Sequence, residues 1–160
     1  MFERNNVLAR QVVEEIGGGD IIYLENEEVI IEGLKFYGTP VQLPFCNWSF
    51  NIFEPKLTEY WKMIPDNTDV LITHSPPKSI GDFVPRVASH EGSLSLYNEV
   101  MNRIKPKIHC FGHIHEGYCV KVINNIRFIN ASNLDGDYTP VNKIKFIKFF
   151  LNSIYSCLEL

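Results

Sequence analysis

The sequence has little positive charge, no long apolar run and no clustered cysteines, and each of these narrows the reading. Lys and Arg number 15 against 19 Asp and Glu, for a net charge of −4. A protein that grips a nucleic-acid polymer wants a basic face, so no such partner is expected. The longest apolar stretch, Ile144 to Leu151, is interrupted by Lys145 and Lys148. It falls well short of the roughly 20 residues that span a bilayer, so no membrane segment is expected. The start, Met1-Phe2-Glu3-Arg4-Asn5-Asn6, lacks a basic region followed by an apolar run, and a cytoplasmic chain is the expectation. The four cysteines, Cys46, Cys110, Cys119 and Cys157, form no C-x-x-C pair. They read as free thiols, with a Cys110–Cys119 disulfide as the alternative.

What is present suits a globular fold: 45% hydrophobic and 12% aromatic residues over 160 positions, one domain's worth. Val7, Leu8, Val12, Val13 and Ile16 recur at helical spacing and predict a helix over 3–16, stopped by Gly17-Gly18-Gly19. Short extended segments follow at Ile21–Leu24, Val29–Ile31 and Leu34–Tyr37. Residues 40–53 read as a loop, and Pro55–Met63 as a helix with proline in its first turn. Asp69–Thr73 reads as a buried strand, 78–90 as irregular, Gly92–Ile104 as a helix and Lys107–Phe111 as a second buried strand. Tyr118–Ile123 and Ile126–Asn130 form a hairpin around Asn124-Asn125, a pair that tolerates positive φ. A final strand is expected around Lys143–Phe150. The alternation of strands and helices indicates an α/β fold, in which sites form beyond the C-terminal ends of strands.

Histidines stand at those ends. His74 follows the first buried strand and His113 and His115 follow the second. In extended backbone, positions i and i+2 face the same side, so the H-x-H pair can address one ion or two adjacent ions. Gly112 permits close backbone approach, and Pro76-Pro77 stiffens the loop behind His74. Imidazole suits zinc, iron, nickel or copper. Spacing alone leaves a mononuclear three-histidine zinc site open, and also the bland reading of satisfied polar side chains. His90 and His109 are read as structural.

The string from His109 to Tyr118, containing Gly112-His113-Ile114-His115, resembles the G-H-x-H block of calcineurin-like metallophosphoesterases. Leu71-Ile72-Thr73-His74-Ser75-Pro76-Pro77 resembles an earlier histidine block of that superfamily. Phe36–Pro40, Phe45–Asn51, Phe128–Ser132 and Tyr138–Asn142 are similar to the metallophosphoesterase-domain-containing small phosphodiesterases, and all these blocks fall in order between about Asp20 and Asn142. The resemblance implies the C-terminal part of an αββα sandwich and a metal-dependent phosphodiesterase with two divalent metals (manganese, iron or zinc). His74 and His113 would bind one metal and His115 the other. It also implies a small phosphodiester or nucleotide substrate.

The family's N-terminal blocks, Asp-x-His, Gly-Asp with the bridging carboxylate, and Gly-Asn-His, have no counterpart here. Residues 143–160 depart from the family too. We therefore read residues 1–160 as a single partial domain, a fragment of a longer protein. The alternative is an inactive remnant that binds metal or protein. Uncovered sheet edges and apolar surface would favour self-association. Phe45, Asn47, Trp48 and Phe50 either line a base-binding pocket or plug into the core, and the second reading is preferred. Asn130 reads as a turn or cap residue as readily as a site residue, and Glu116 as an exposed acid rather than a support for a histidine. Asp82, Asp135 and Asp137 offer no spacing that favours any of them as a replacement carboxylate.

Overall fold

The structure, a computed structural model, describes residues 3–150 and 153–159. Strands β1 (Glu27–Ile31) and β2 (Leu34–Thr39) form an antiparallel hairpin, turned by Glu32 and Gly33 in left-handed backbone. Helix α2 (Lys56–Lys62) then returns the chain to β3 (Val70–Thr73), which pairs parallel with β2. A two-stranded excursion, β4 (Phe83–Val84) and β5 (Ser89–His90), precedes α3 (Leu94–Glu99). The Ser93 hydroxyl caps α3 by accepting from the Leu96 amide at 3.1 Å. Strand β6 (Ile108–Phe111) pairs parallel with β3, and the hairpin of β7 (Cys119–Ile123) and β8 (Ile126–Asn130) adds β8 parallel to β6. The sheet order is β1-β2-β3-β6-β8-β7. Its four central strands are parallel, as an α/β sandwich layer requires.

Side-chain alternation sends Tyr37, Leu71, Phe111 and Phe128 to one face, where Leu57, Trp61, Leu96, Val100 and Ile104 of the helical layer cover them. Arg103 ties this layer together: its guanidinium donates to the carbonyls of Trp61 and Ile64 at 2.8 and 2.7 Å, satisfying the C-terminal end of α2. The opposite face carries a smaller cluster of Val70, Ile108 and Ile129 with Phe36, Cys110 and Ile147. This is the mixed α/β architecture expected of a partial sandwich.

Several elements differ from expectation. Ile21–Leu24 is not a strand, because Leu24 lies across the sheet rather than beside it: a Cβ built on Gly38 would sit 2.5 Å from the Leu24 Cβ. The helix expected over 92–104 is α3 followed by a π-helical turn, Val100–Ile104, closed by Lys105 at φ 48°. Residues 78–90 contain the β4–β5 pairing rather than irregular chain alone. The C-terminal strand is β9 (Lys145–Phe150), and a second strand, β10 (Ser153–Glu159), pairs with it antiparallel. The 3–16 helix is α1 (Glu3–Gly17). Asn124 and Asn125 take the positive φ values (50° and 64°) that the hairpin needs. Cys46 and Cys119 are free thiols, so the Cys110–Cys119 disulfide is absent, and the Cys157 side chain lies outside what is described.

Candidate functional site

The parallel pairing of β3 with β6 brings their C-terminal ends side by side. The Gly112 amide donates to the His74 carbonyl at 3.0 Å, continuing the ladder into the loops. As a result His74 and His113, distant in sequence, meet: Nε2 of His74 is 3.1 Å from Nδ1 of His113. The sequence argument for the H-x-H pair does not describe how this happens. His113 is in left-handed backbone (φ 65°), and His115 opens a 3₁₀ turn, His115–Gly117, so neither continues the strand. The i, i+2 parity of extended chain therefore does not apply. The turn at Gly112-His113 aims the first imidazole at His74.

His115 stands apart from that pair. Its Nδ1 lies 2.6 Å from the Asp135 carbonyl oxygen. A carbonyl only accepts, so Nδ1 carries the proton and Nε2 keeps its lone pair. Electrostatics still connect the three rings. Burial, then the repulsion of His74 and His115, brings the His113 pKa down to about 4. Burial and His115 also lower that of His74. His74 and His113 thereby favour the neutral form that a metal needs.

The donor set passes a simple test of fit. Imidazole nitrogens about 2.0–2.1 Å from one ion are separated by about 3.0–3.4 Å across octahedral or tetrahedral angles. The His74–His113 separation of 3.1 Å falls inside that range. Among the described residues no group of three His, Cys, Asp or Glu side chains converges as a metal cage. The arrangement is thus two imidazoles together and one apart.

Around the pair, Phe45 packs edge-on against His113 with centroids 4.9 Å apart, and Trp48 lies 6.4 Å from the same ring. Trp48 is 48% exposed, so this loop does not plug into the core as the sequence reading preferred. Instead a cleft of about 680 Å³ opens between Tyr23, Pro40, Gln42, Trp48, Phe50 and His74. Buried Gln42 donates through Nε2 to Ser49 O and Asn51 Oδ1, at 3.2 and 3.1 Å. Nothing in the sequence marked Tyr23 or Gln42 as cleft residues, because only the fold brings 23–42 against His74.

The remaining candidates are supports. Asn130, fully buried, donates to Gly81 O at 2.9 Å and Ile114 O at 2.8 Å, and accepts from the Ser132 amide at 3.0 Å. It pins the middle of the H-x-H segment. Asp82 accepts from the Ser79 and Gly92 amides, each at 2.9 Å, and from His90 Nδ1 at 2.6 Å, a local structural hub away from the paired histidines. His109 is buried within β6, as a structural residue. Glu116 is exposed, and the Asp135 carbonyl holds His115 instead. Asp137 is exposed too.

Comparison with known proteins places the chain. No family model matches it. It is 43% identical over 122 residues to metallophosphoesterase domain-containing protein 1 of Homo sapiens, and equally to that of Mus musculus; each match covers 76% of this chain and 37% of that protein. A UPF0046 protein of Caenorhabditis elegans is 41% identical over 125 residues, covering 75% of this chain and 31% of that protein. The chain therefore spans about a third of the length of these relatives. A crystal structure superposes with a TM-score of 0.56 at 18% identity, over 78% of this chain and 51% of that one, a likeness of fold alone.

Proposed function

From its metallophosphoesterase-like relationship, we propose that the chain carries the histidine half of a metal-dependent phosphoester hydrolase site. The observation that carries this reading is the convergence of His74 and His113 at 3.1 Å beyond the ends of β3 and β6. His74 and His113 would hold one divalent ion, and His115, through Nε2, would hold a second. Manganese, iron and zinc all suit the imidazole set. The bound metals would supply Lewis acidity toward phosphoryl oxygens.

The chain's own residues do the rest. Burial holds the His74 and His113 imidazoles toward the neutral form, so metal does not have to displace protons from these two at neutral pH. Trp48 and Tyr23 offer flat apolar faces beside His74, which suits the organic part of a small phosphodiester such as a nucleotide. The carboxylate half of the site is expected from sequence beyond the matched region.

Two measurements test this. Isothermal titration of the 160-residue chain with Zn²⁺ or Mn²⁺ should show binding that His113→Ala weakens at least tenfold. A longer chain bearing the Asp-x-His, Gly-Asp and Gly-Asn-His blocks should hydrolyse an aryl phosphodiester with manganese, and lose turnover on His113→Ala. Undiminished turnover in that variant would remove the proposal.

A further inference from the structure

The turn that holds His115 is built by a side chain with no direct line to the site. Asp135 Oδ1 accepts from the amides of Asp137 and Thr139, each at 2.9 Å. The Asp135 amide donates to Thr139 O at 2.9 Å, and the Tyr138 amide returns to Asp135 O at 3.0 Å. These bonds close a tight loop over 135–139 that projects the Asp135 carbonyl at His115 Nδ1, 2.6 Å away. Tyr138, in left-handed backbone (φ 62°), sets its ring edge-on to the His115 ring at 5.3 Å. The imidazole is thus gripped from one nitrogen and one face by a single turn. Gly136 follows Asp135 directly, so without the carboxylate's two bonds this backbone gains wide freedom.

We propose that Asp135 is a positioning residue for His115. Its side chain folds the turn, and the turn's main-chain carbonyl fixes the Nδ1–H tautomer and leaves the Nε2 lone pair for a ligand. The relevance to metal rests on the function proposed above; the tautomer itself does not. As a replacement ligand Asp135 is poorly placed, because Oδ1 already accepts two amides. Acting through the backbone carbonyl follows the rule that the support on the far nitrogen decides which nitrogen of a histidine is free.

Long-range ¹H–¹⁵N correlation of the full chain, at about pH 8.5 and above the ordinary imidazole range, reads the tautomer directly. The wild-type His115 should be Nδ1–H. Asp135→Ala should shift it toward Nε2–H. Asp135→Asn, whose Oδ1 accepts the same two amides, should keep Nδ1–H, and Asp135→Glu, a methylene too long, should not. If the alanine variant does not fold, the Asn and Glu pair decides the matter. Retention of Nδ1–H in the Ala or Glu variant, or its loss in the Asn variant, overturns the proposal. Zn²⁺ affinity should fall ten- to a hundredfold in Asp135→Glu and stay within threefold in Asp135→Asn. A tautomer change of the expected kind in a chain that binds no zinc would leave the positioning role standing and sink the metal reading.

Discussion

Acidification should destabilise this protein through its depressed histidines, His74, His113 and His109, and the last of these never touches the cleft. His109 is fully buried in β6. Its Nε2 is 2.9 Å from the Thr73 hydroxyl, which itself donates to Ser75 O at 2.7 Å. The hydroxyl's proton being committed, His109 Nε2 must donate, and Nδ1 is left as a buried lone pair without a partner. A second proton there would be a buried charge with no acceptor, and burial brings the pKa down to about 3. In the unfolded chain the same group titrates near the ordinary value of about 6.5. Because the folded value is depressed, the contribution is fully present above about 6.5 and is lost as pH falls toward 3. Within that window the unfolded state binds one more proton, so stability falls by up to about 1.4 kcal/mol per pH unit. The whole window is then worth about 4–5 kcal/mol, a large part of the roughly 5–15 kcal/mol of an ordinary domain. Urea denaturation at pH 7.5, 6.5, 5.5 and 4.5 measures the slope. His109→Gln cannot titrate and can still donate to Thr73, so it should start less stable but lose about 1.4 kcal/mol less per unit between pH 6 and 4.5. An unchanged slope in that variant would refute the assignment. Asp69, whose carboxyl is held below its usual range, acts in a lower window, below the ordinary carboxylate pKa, and does not imitate the effect.

Asn130→Ala should cost about 2–3 kcal/mol by leaving the Gly81 carbonyl without its Asn130 donor and the Ile114 carbonyl with the Gly117 amide alone, read as a shift in urea midpoint at constant slope. Gly117→Ala should fail to reach the native state, since its Cβ would lie 2.0 Å from the Gly81 carbonyl oxygen, backbone against backbone; a thermal melt close to wild type would contradict the packing. Trp48→Ala, at an exposed position, should shift stability by no more than about 0.5 kcal/mol while weakening the binding of a nucleotide probe in a fluorescence titration. The apolar side of α1, where Val7, Leu8, Val12 and Ile16 are all exposed, should drive self-association in sedimentation, and Leu8→Glu with Ile16→Glu should reduce it.

Much of the layout was legible because it rests on local rules. The hairpin at Asn124-Asn125, the buried runs 70–73 and 108–111 and the apolar spacing of the helices each depend on residues close in sequence. The failures share one cause. Ile21–Leu24 has a strand's composition, but whether it pairs is decided by Gly38, which leaves room for Leu24 to cross. The aromatic loop at 45–50 has the composition of a core plug, yet its exposure depends on how it meets His113. The role of Asp135 was invisible because a backbone carbonyl does the work and the side chain acts only on its own turn. Position after a strand put His74 and His113 at the C-terminal edge of the sheet, but which imidazoles meet required the register of β3 against β6.

The left-handed backbone at His113 is what turns its imidazole toward His74. A non-glycine residue there costs about 1–2 kcal/mol relative to ordinary backbone, and an asparagine or glycine would make the same turn with less strain. The strained turn also carries an imidazole into partial burial beside two others, which pushes its pKa down to about 4. One N–H shared between His74 and His113 satisfies both facing nitrogens, one as donor and the other as acceptor. A cation held by both rings would need both of those nitrogens unprotonated, so it would replace this hydrogen bond rather than enter an empty position. The 3.1 Å approach of the two rings therefore serves a plain hydrogen bond as well as the proposed metal site, and zinc titration of the wild-type and His113→Ala chains separates the two.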